Sequence, residues 1–211
     1  MSSLRLIDHL VYTVPNLEAA IDELETKLGV RPAFGGYHDT QGTKNALINL
    51  DNGAYLEILA ADDDNVSIPP PRWMGVDCLT KARMTRWAIK SEELPTDSKI
   101  LRAYDEAMGT IFGGSRQTAS GGWLRWEMIL PTAEPEVEVI PFMVDWRKSD
   151  IHPHEVLPNM GCSLVELYAT HPEPELIMPL LDQLGVSLRV EKGAQVDLRM
   201  RVECPNGIIE L

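Results

Sequence analysis

The chain has 211 residues, 44% of them hydrophobic and 24% charged, enough for one large domain or two small ones around a sizeable core. A formal net charge of −13 without a long basic run argues against duplex nucleic acid and against an anionic membrane surface. Three widely spaced cysteines, Cys78, Cys162 and Cys204, form no CxxC or metal-ligand spacing, so reduced thiols in a cytoplasm fit better than a disulfide framework. The N-terminus MSSLRLIDH lacks an apolar signal core, and runs such as VIPFMV are too short to span a bilayer, so the expected location is cytoplasmic.

Residues 4–14 alternate as a strand, with Ile7, His9, Val11 and Thr13 on one face. Leu6, Leu10, Tyr12 and Val14 make the other, which a helix should cover, and Asp8 interrupts that apolar face. Asn16 is a suitable N-cap, Leu17, Ala20, Ile21, Leu24 and Leu28 recur with helical spacing, and Gly29 supplies the stop. Strands are expected near 32–37, 44–50 and 54–60, the last two joined by an Asp51-Asn52-Gly53 hairpin turn. This βαβββ unit (residues 1–60) leaves one sheet face open and so requires further units.

Residues 61–83 read as a linker, since ADDDN and three consecutive prolines continue neither kind of element; it could wrap the domain and donate Trp73. A second module over 84–146 begins with the strand MTRWAIK. A helix follows near 98–108, capped by Thr96, Asp97 or Ser98, and then strands at 123–130 and 137–146. Pro141 suggests an edge position or a bulge in the last of these. Gly113-Gly114 and Gly121-Gly122 flank a polar loop, 115–120, that reads as a lid or turns.

A second linker, 147–161, is rich in His and Pro. The opening pattern then returns over 162–211 as a third, shorter βαβββ-like module. Aligned on proline, LVELYATHP (164–172) lies over IDHLVYTVP (7–15), which places Glu166 on His9, and the closing PNGIIEL places Glu210 over Glu57. The three modules and two linkers are read together as one structural domain.

The Asp-His-Leu-Val strand, the capped helix ending in Leu-Gly-Val and the strand Tyr-Leu-Glu-Ile resemble the opening module of the vicinal oxygen chelate superfamily. More narrowly, the chain is similar to the bacterial glyoxalase-like domain family. The likeness rests on Gly53-Ala54-Tyr55-Leu56-Glu57, Pro71-Arg72-Trp73, Leu124-Arg125-Trp126, Pro141-Phe142 with Asp145-Trp146, His152-Pro153 and Gly207-Ile208-Ile209-Glu210-Leu211. The resemblance implies an α+β fold in which repeated βαβββ modules form a cupped mixed sheet, with metal ligands on the first and last strand of each module. Carried over, the ligand positions are His9 and Glu57, and by the internal alignment Glu166 and Glu210. Such a set would take a divalent ion such as Mn, Co, Ni, Zn, Fe or Mg. The ion would polarise vicinal oxygens of a small-molecule substrate, with a glutamate (Glu57 or Glu210) moving a proton. The implied activity is lyase- or isomerase-like, and a homodimer is expected.

In the second module the equivalent places fall near Arg86 and near Phe142 or Met143, which are not metal ligands. Modules one and two would give two ligands, modules one and three all four. Each candidate also has a plainer reading. His9 could be a core histidine, and Glu57, among Leu56, Ile58 and Leu59, could pair with Arg125. Glu166 and Glu210 could be rim carboxylates. Trp73, Trp123, Trp126 and Trp146 could line an apolar pocket or simply pack, and Lys44 and Arg125 could meet an anionic substrate or sit on the surface. The histidines of the His152-Pro153-His154 triplet could bind metal or lie in a solvated loop. A metal-free protein that sequesters an apolar ligand in the cup, and a structural dimerisation module, are the alternatives to an enzyme.

Overall fold

In the computed structural model, residues 4–117 and 122–211 are described; residues 118–121 of the expected lid or turn lie outside them. The first strand, β1 (Ile7–Thr13), leads through Asn16 into α1 (Leu17–Leu28). The Asn16 side chain accepts the Ala19 N–H at 2.8 Å, and Gly29 ends the helix at φ 78°, a left-handed angle that favours glycine. The five apolar positions at helical spacing are the five buried residues of α1. Strands β2 (Ala33–His38), β3 (Thr43–Asn49) and β4 (Tyr55–Ala61) complete the module. Asp51, Asn52 and Gly53 all take positive φ in the turn before β4.

The second module repeats this order with β5 (Arg83–Lys90), α2 (Leu94–Tyr104), β6 (Ile111–Gln117), β7 (Trp123–Ile129) and β8 (Phe142–Asp145). Helix α2 begins four residues earlier than expected. Pro95 starts it, the Ser91 hydroxyl accepts the Glu93 N–H, and Asp97 is buried against Ser91 and Arg5 rather than capping. Strand β8 starts only after Pro141 and lies inside the sheet, not at its edge, because the proline without an N–H stands just outside the ladder. Strand β6, glycine-bearing and short of alternation, had no clear signature.

The two modules join into one curled eight-stranded sheet, ordered β2-β3-β4-β1-β5-β8-β7-β6. Within each module the first strand pairs parallel with the fourth (β1 with β4, β5 with β8), and β1 meets β5 antiparallel. The cup is therefore completed inside one chain by modules one and two. Its convex side buries Leu10, Val14, Ala46, Ile48, Leu56 and Ile58 against α1, with Trp87 and Ile89 in the same core.

The segment over 162–211 forms a separate four-stranded sheet from β9 (Ser163–His171), β10 (Arg189–Lys192), β11 (Asp197–Cys204) and β12 (Gly207–Glu210). After the single-turn helix α3 (Pro153–Val156) of the preceding linker, helix α4 (Pro174–Gln183) lies between β9 and β10. Its order, β10-β9-β11-β12, differs from that of the other modules: here the second strand, not the fourth, runs parallel beside the first. The sequence echo is thus not a repeat of topology. The inner face (Leu167, Ala169, Leu198, Met200, Val202) joins the convex-side core, with β11 against β5 and α4 against α2. Glu166 and Glu210 therefore cannot share the cup.

The linker 61–83 does cross the concave side. A single 3₁₀ turn at Trp73–Gly75 drives Met74 into the cup among Val11, Leu59, Ala88, Met128, Phe142 and Val144. Met74 is fully buried at φ 55°, a left-handed angle uncommon for a side chain of this kind.

Candidate active site

The pairing of β1 with β5 slips between Ile7 and His9, so Asp8 is the extra residue of a β-bulge. The bulge breaks the alternation of the strand and lets neighbouring side chains, Asp8 and His9, meet: the Asp8 carboxylate accepts from His9 Nδ1 at 2.6 Å. This accounts for an acid on what reads as the apolar face. On the other side of the imidazole, His9 Nε2 stands 3.7 Å from Glu57 Oε2. Tyr55 stacks on the ring with centroids 4.8 Å apart, and Phe142 meets it edge-on at 5.3 Å, so the ring plane is held by packing. Both groups are sealed, with His9 4% and Glu57 5% exposed.

The Glu57 carboxylate accepts from Asn45 Nδ2 at 2.6 Å, and the same amide lies 3.5 Å from His38 Nε2. His38 Nδ1 meets the Thr43 hydroxyl at 2.9 Å, and the Trp73 indole stands edge-on to the His38 ring at 5.4 Å. The Trp73 N–H is buried and finds no hydrogen-bond partner among the described residues. His38 is only half-buried, and it lines a cavity of about 270 Å³ with Tyr37, Phe112, Gly114, Ser115 and Trp126. A second cavity of about 460 Å³ shares part of this lining and extends to Arg125 and Lys148. The Trp126 indole covers Gly114 so closely that a Cβ there would lie 2.5 Å from the ring, which explains a glycine in β6.

Asp8 is a hub. Its Oδ2 accepts from Trp146 Nε1 at 2.9 Å and from His152 Nε2 at 2.8 Å, so both carboxylate oxygens are engaged in a site closed to solvent. Burial alone would raise its pKa; the hydrogen bonds from His152 and His9 outweigh burial and bring it down to about 2. Asp8 is therefore ionised wherever the protein is folded near neutrality.

In the second module, Val11 and Ala88 hold equivalent places, paired with Glu57 and Phe142 respectively, so Arg86 and Phe142 stand where His9 and Glu57 stand in the first. The two terminal nitrogens of the Arg86 guanidinium are given to backbone carbonyls, those of Thr85, Thr132, Ala133, Pro135 and Glu136, and its buried Nε finds no partner among the described residues. Desolvation lowers its pKa to about 10, against the opposing pull of Glu138. Among the described residues no three His, Cys, Asp or Glu side chains converge to hold a metal. The four ligand positions of the cup thus offer one imidazole, one carboxylate, a locked guanidinium and a phenyl ring. That donor set does not fit a protein-held divalent ion.

The other nominated residues divide clearly. Glu166 takes ion pairs from Arg189 and Arg201 on the outer face of the second sheet, and Glu210 accepts from the Tyr168 hydroxyl and pairs with Arg199 there. Neither joins His9 and Glu57. Lys44 points to the helix side and pairs with Glu18 of α1 at 2.8 Å, so it lies off the cup. Arg125 lines the larger cavity but pairs with Asp150 at 3.3 Å and lies over Trp123, not against Glu57. Trp73, Trp126 and Trp146 all border the concave cluster. Sequence reasoning missed Asp8, His38 and Asn45 as members of the site. Asp8 carried a signal, as a charge out of phase beside a histidine, and His152 carried one in the HPH triplet; Asn45 and His38 carried none.

The glyoxalase-like domain model matches residues 7–185, whereas no curated protein matches the chain. Among solved structures, a hypothetical protein from Staphylococcus aureus is similar in fold, with a TM-score of 0.61, 16% identity, and 97% of this chain and 83% of that one covered. A methylmalonyl-CoA epimerase from Mycobacterium tuberculosis gives a TM-score of 0.44 at 19% identity, covering 69% of this chain and 91% of that one. The epimerase from Streptomyces coelicolor, in complex with 2-nitronate-propionyl-CoA, gives 0.42 at 17%, covering 69% and 99%. With its paired βαβββ modules, curled sheet and a family match over most of its length, the chain belongs to the glyoxalase-like domain family.

Proposed function

We propose that the chain is a small-molecule enzyme of the isomerase or lyase kind, in which the Glu57–His9 pair moves a proton to and from a substrate carbon or oxygen. The supporting observation is the 3.7 Å gap between His9 Nε2 and Glu57 Oε2. It is longer than a hydrogen bond, yet both groups are buried and held from behind, His9 by Asp8 and Glu57 by Asn45. Two held proton carriers facing one another across such a gap are suited to receiving a proton at one atom and returning it at another. Glu57 keeps the shuttle role that the resemblance implied; the divalent metal does not enter, since Arg86 and Phe142 occupy two of its four places. The half-buried His38, joined to Glu57 through Asn45, lines a cavity and supports approach of a small molecule from that side; His9 and Glu57 do not line that cavity, so reaching them requires the sealed pair to open.

Incubating the protein in D2O with a panel of small α-hydroxy, α-keto and dicarbonyl acids tests this. One member should show a C–H exchanging with wild type and not with Glu57→Gln. Binding of a panel member at the cup, seen as shifts in the His38 and Trp73 signals, without exchange in any member would overturn it.

A second reading, a protein that sequesters an apolar or aromatic ligand, draws on the indoles and Phe112 around the cavities. Quenching of tryptophan fluorescence by such a ligand, unchanged in Glu57→Gln and accompanied by no exchange, would favour it.

A further inference from the structure

The segment 147–161, outside both halves of the cup, reaches into the site through His152. This residue caps the short helix α3 (Pro153–Val156): its Nδ1 accepts the backbone N–H of His154 at 3.3 Å. A backbone N–H can only donate, so His152 Nδ1 is bare and the ring proton sits on Nε2. His152 Nε2–H then donates to Asp8 Oδ2 at 2.8 Å. The same logic runs outward, where His154 Nδ1, 2.7 Å from His152 Nδ1, must be the donor of that contact.

With Trp146 Nε1–H donating to the same oxygen, Asp8 Oδ2 is committed to two donors, and the carboxylate is fixed about its Cβ–Cγ bond. Its remaining oxygen, Oδ1, faces His9 Nδ1 at 2.6 Å and only accepts. His9 must therefore carry its proton on Nδ1, and in the neutral ring Nε2 presents its lone pair to Glu57. We infer that His152 is a positioning residue for the cup. By capping α3 it fixes its own tautomer, and through Asp8 it fixes the tautomer and orientation of His9. The catalytic meaning of this rests on the proton-transfer reading above; the arrangement itself does not. His152 lines neither of the two cavities beside His38, and its ring meets Asp8, His154, Trp146 and Tyr55.

The test needs no substrate. Two-bond 1H–15N correlation spectra of the 15N-histidine-labelled protein at pH 8 report the tautomer of each ring. Wild type should show His9 as Nδ1–H, His152 as Nε2–H and His154 as Nδ1–H. His152→Phe keeps an aromatic ring but no donor, so the Asp8 carboxylate is free to turn. The Nε2–H form of His9 should then rise at least about threefold, as when an orienting acid loses its hold on an imidazole. His152→Gln can accept from the His154 N–H with its oxygen and donate to Asp8 with its amide, so it should restore the wild-type His9 signal.

A wild-type His9 protonated on Nε2, or a folded His152→Phe protein with the wild-type His9 tautomer, would overturn the inference. Should His152→Phe not fold, the wild-type tautomers of His152 and His154 decide it, because the opposite assignment at either ring breaks the chain of donors. If the tautomers are as stated and no C–H exchange is found, the functional reading fails and the positioning role stands.

Discussion

Module one brings an imidazole and a carboxylate to the hollow of the sheet, whereas module two, with the same strand order, brings a guanidinium and a phenyl ring to the equivalent places. Arg86 is turned onto the carbonyls of the loop between β7 and β8, and Phe142 packs on His9. One half supplies reactive groups and the other supplies a wall. A duplicated fold can keep its backbone pairing while its halves diverge, because strand order is set by pairing and core faces, and the cup-facing side chains are largely independent of both.

The largest expected effect separates the halves by activity. Glu57→Gln should lower the rate of C–H exchange by about 10²- to 10⁴-fold, the usual range for a general acid or base, while Phe142→Leu at the matching position should change it less than about tenfold. A comparable loss in both would mean that the wall is also machinery.

Stability should divide the other way. Arg86→Met leaves the carbonyls of a half-exposed loop without their buried donor and should lower the urea-unfolding free energy by about 1–3 kcal/mol. Exchange per folded molecule should stay near wild type. A loss below about 1 kcal/mol would show that the carbonyl cage is satisfied some other way.

Acid sensitivity comes next. Asp8 has a folded pKa of about 2, below the ordinary 3.8, so it stabilises the folded state above pH 4 and that contribution disappears as pH falls through 2. The shift corresponds to about 2 kcal/mol for this fully buried group. Unfolding monitored from pH 6 to pH 2 should show that much extra acid loss in wild type relative to Asp8→Asn; parallel curves would mean that the carboxylate is not held as described.

The smallest effect belongs to the second sheet. Glu210→Gln removes exposed contacts to Tyr168 and Arg199, so it should shift stability by no more than about 1 kcal/mol and leave exchange unchanged. A tenfold fall in exchange would return Glu210 to the site.

Much of the first module was legible because its signals are local. Asn16, Gly29 and the Asp51-Asn52-Gly53 turn each act within a few residues, and all three behave as read. Where a signal was shared between neighbours, reading alone misplaced it: Asp97 looks like a cap but is buried under α2, with Pro95 marking the true start. The pair His9 and Glu57 was legible through the family register, and the structure brings them together. Glu166 and Glu210 followed from a sequence echo in a segment whose strands pair in another order, and pairing order between distant strands leaves no trace in local spacing. Asn45 and His38 join the site through contacts between neighbouring strands and His152 through one that spans 144 residues, and a polar residue on a strand or in a loop reads the same whether it meets water or Glu57.

The extra residue at Asp8 has a consequence for how such a chain can change. A pleated ribbon sends consecutive side chains to opposite sides, so an acid and an imidazole that are neighbours in the chain could not clasp one another within a regular strand. Here a dislocation of one position supplies the missing half-step. Deleting that single position would restore the ordinary zigzag and take the acid with it, while leaving most of the apolar interior in phase. Gain or loss of the clasp is thus one codon away in either direction.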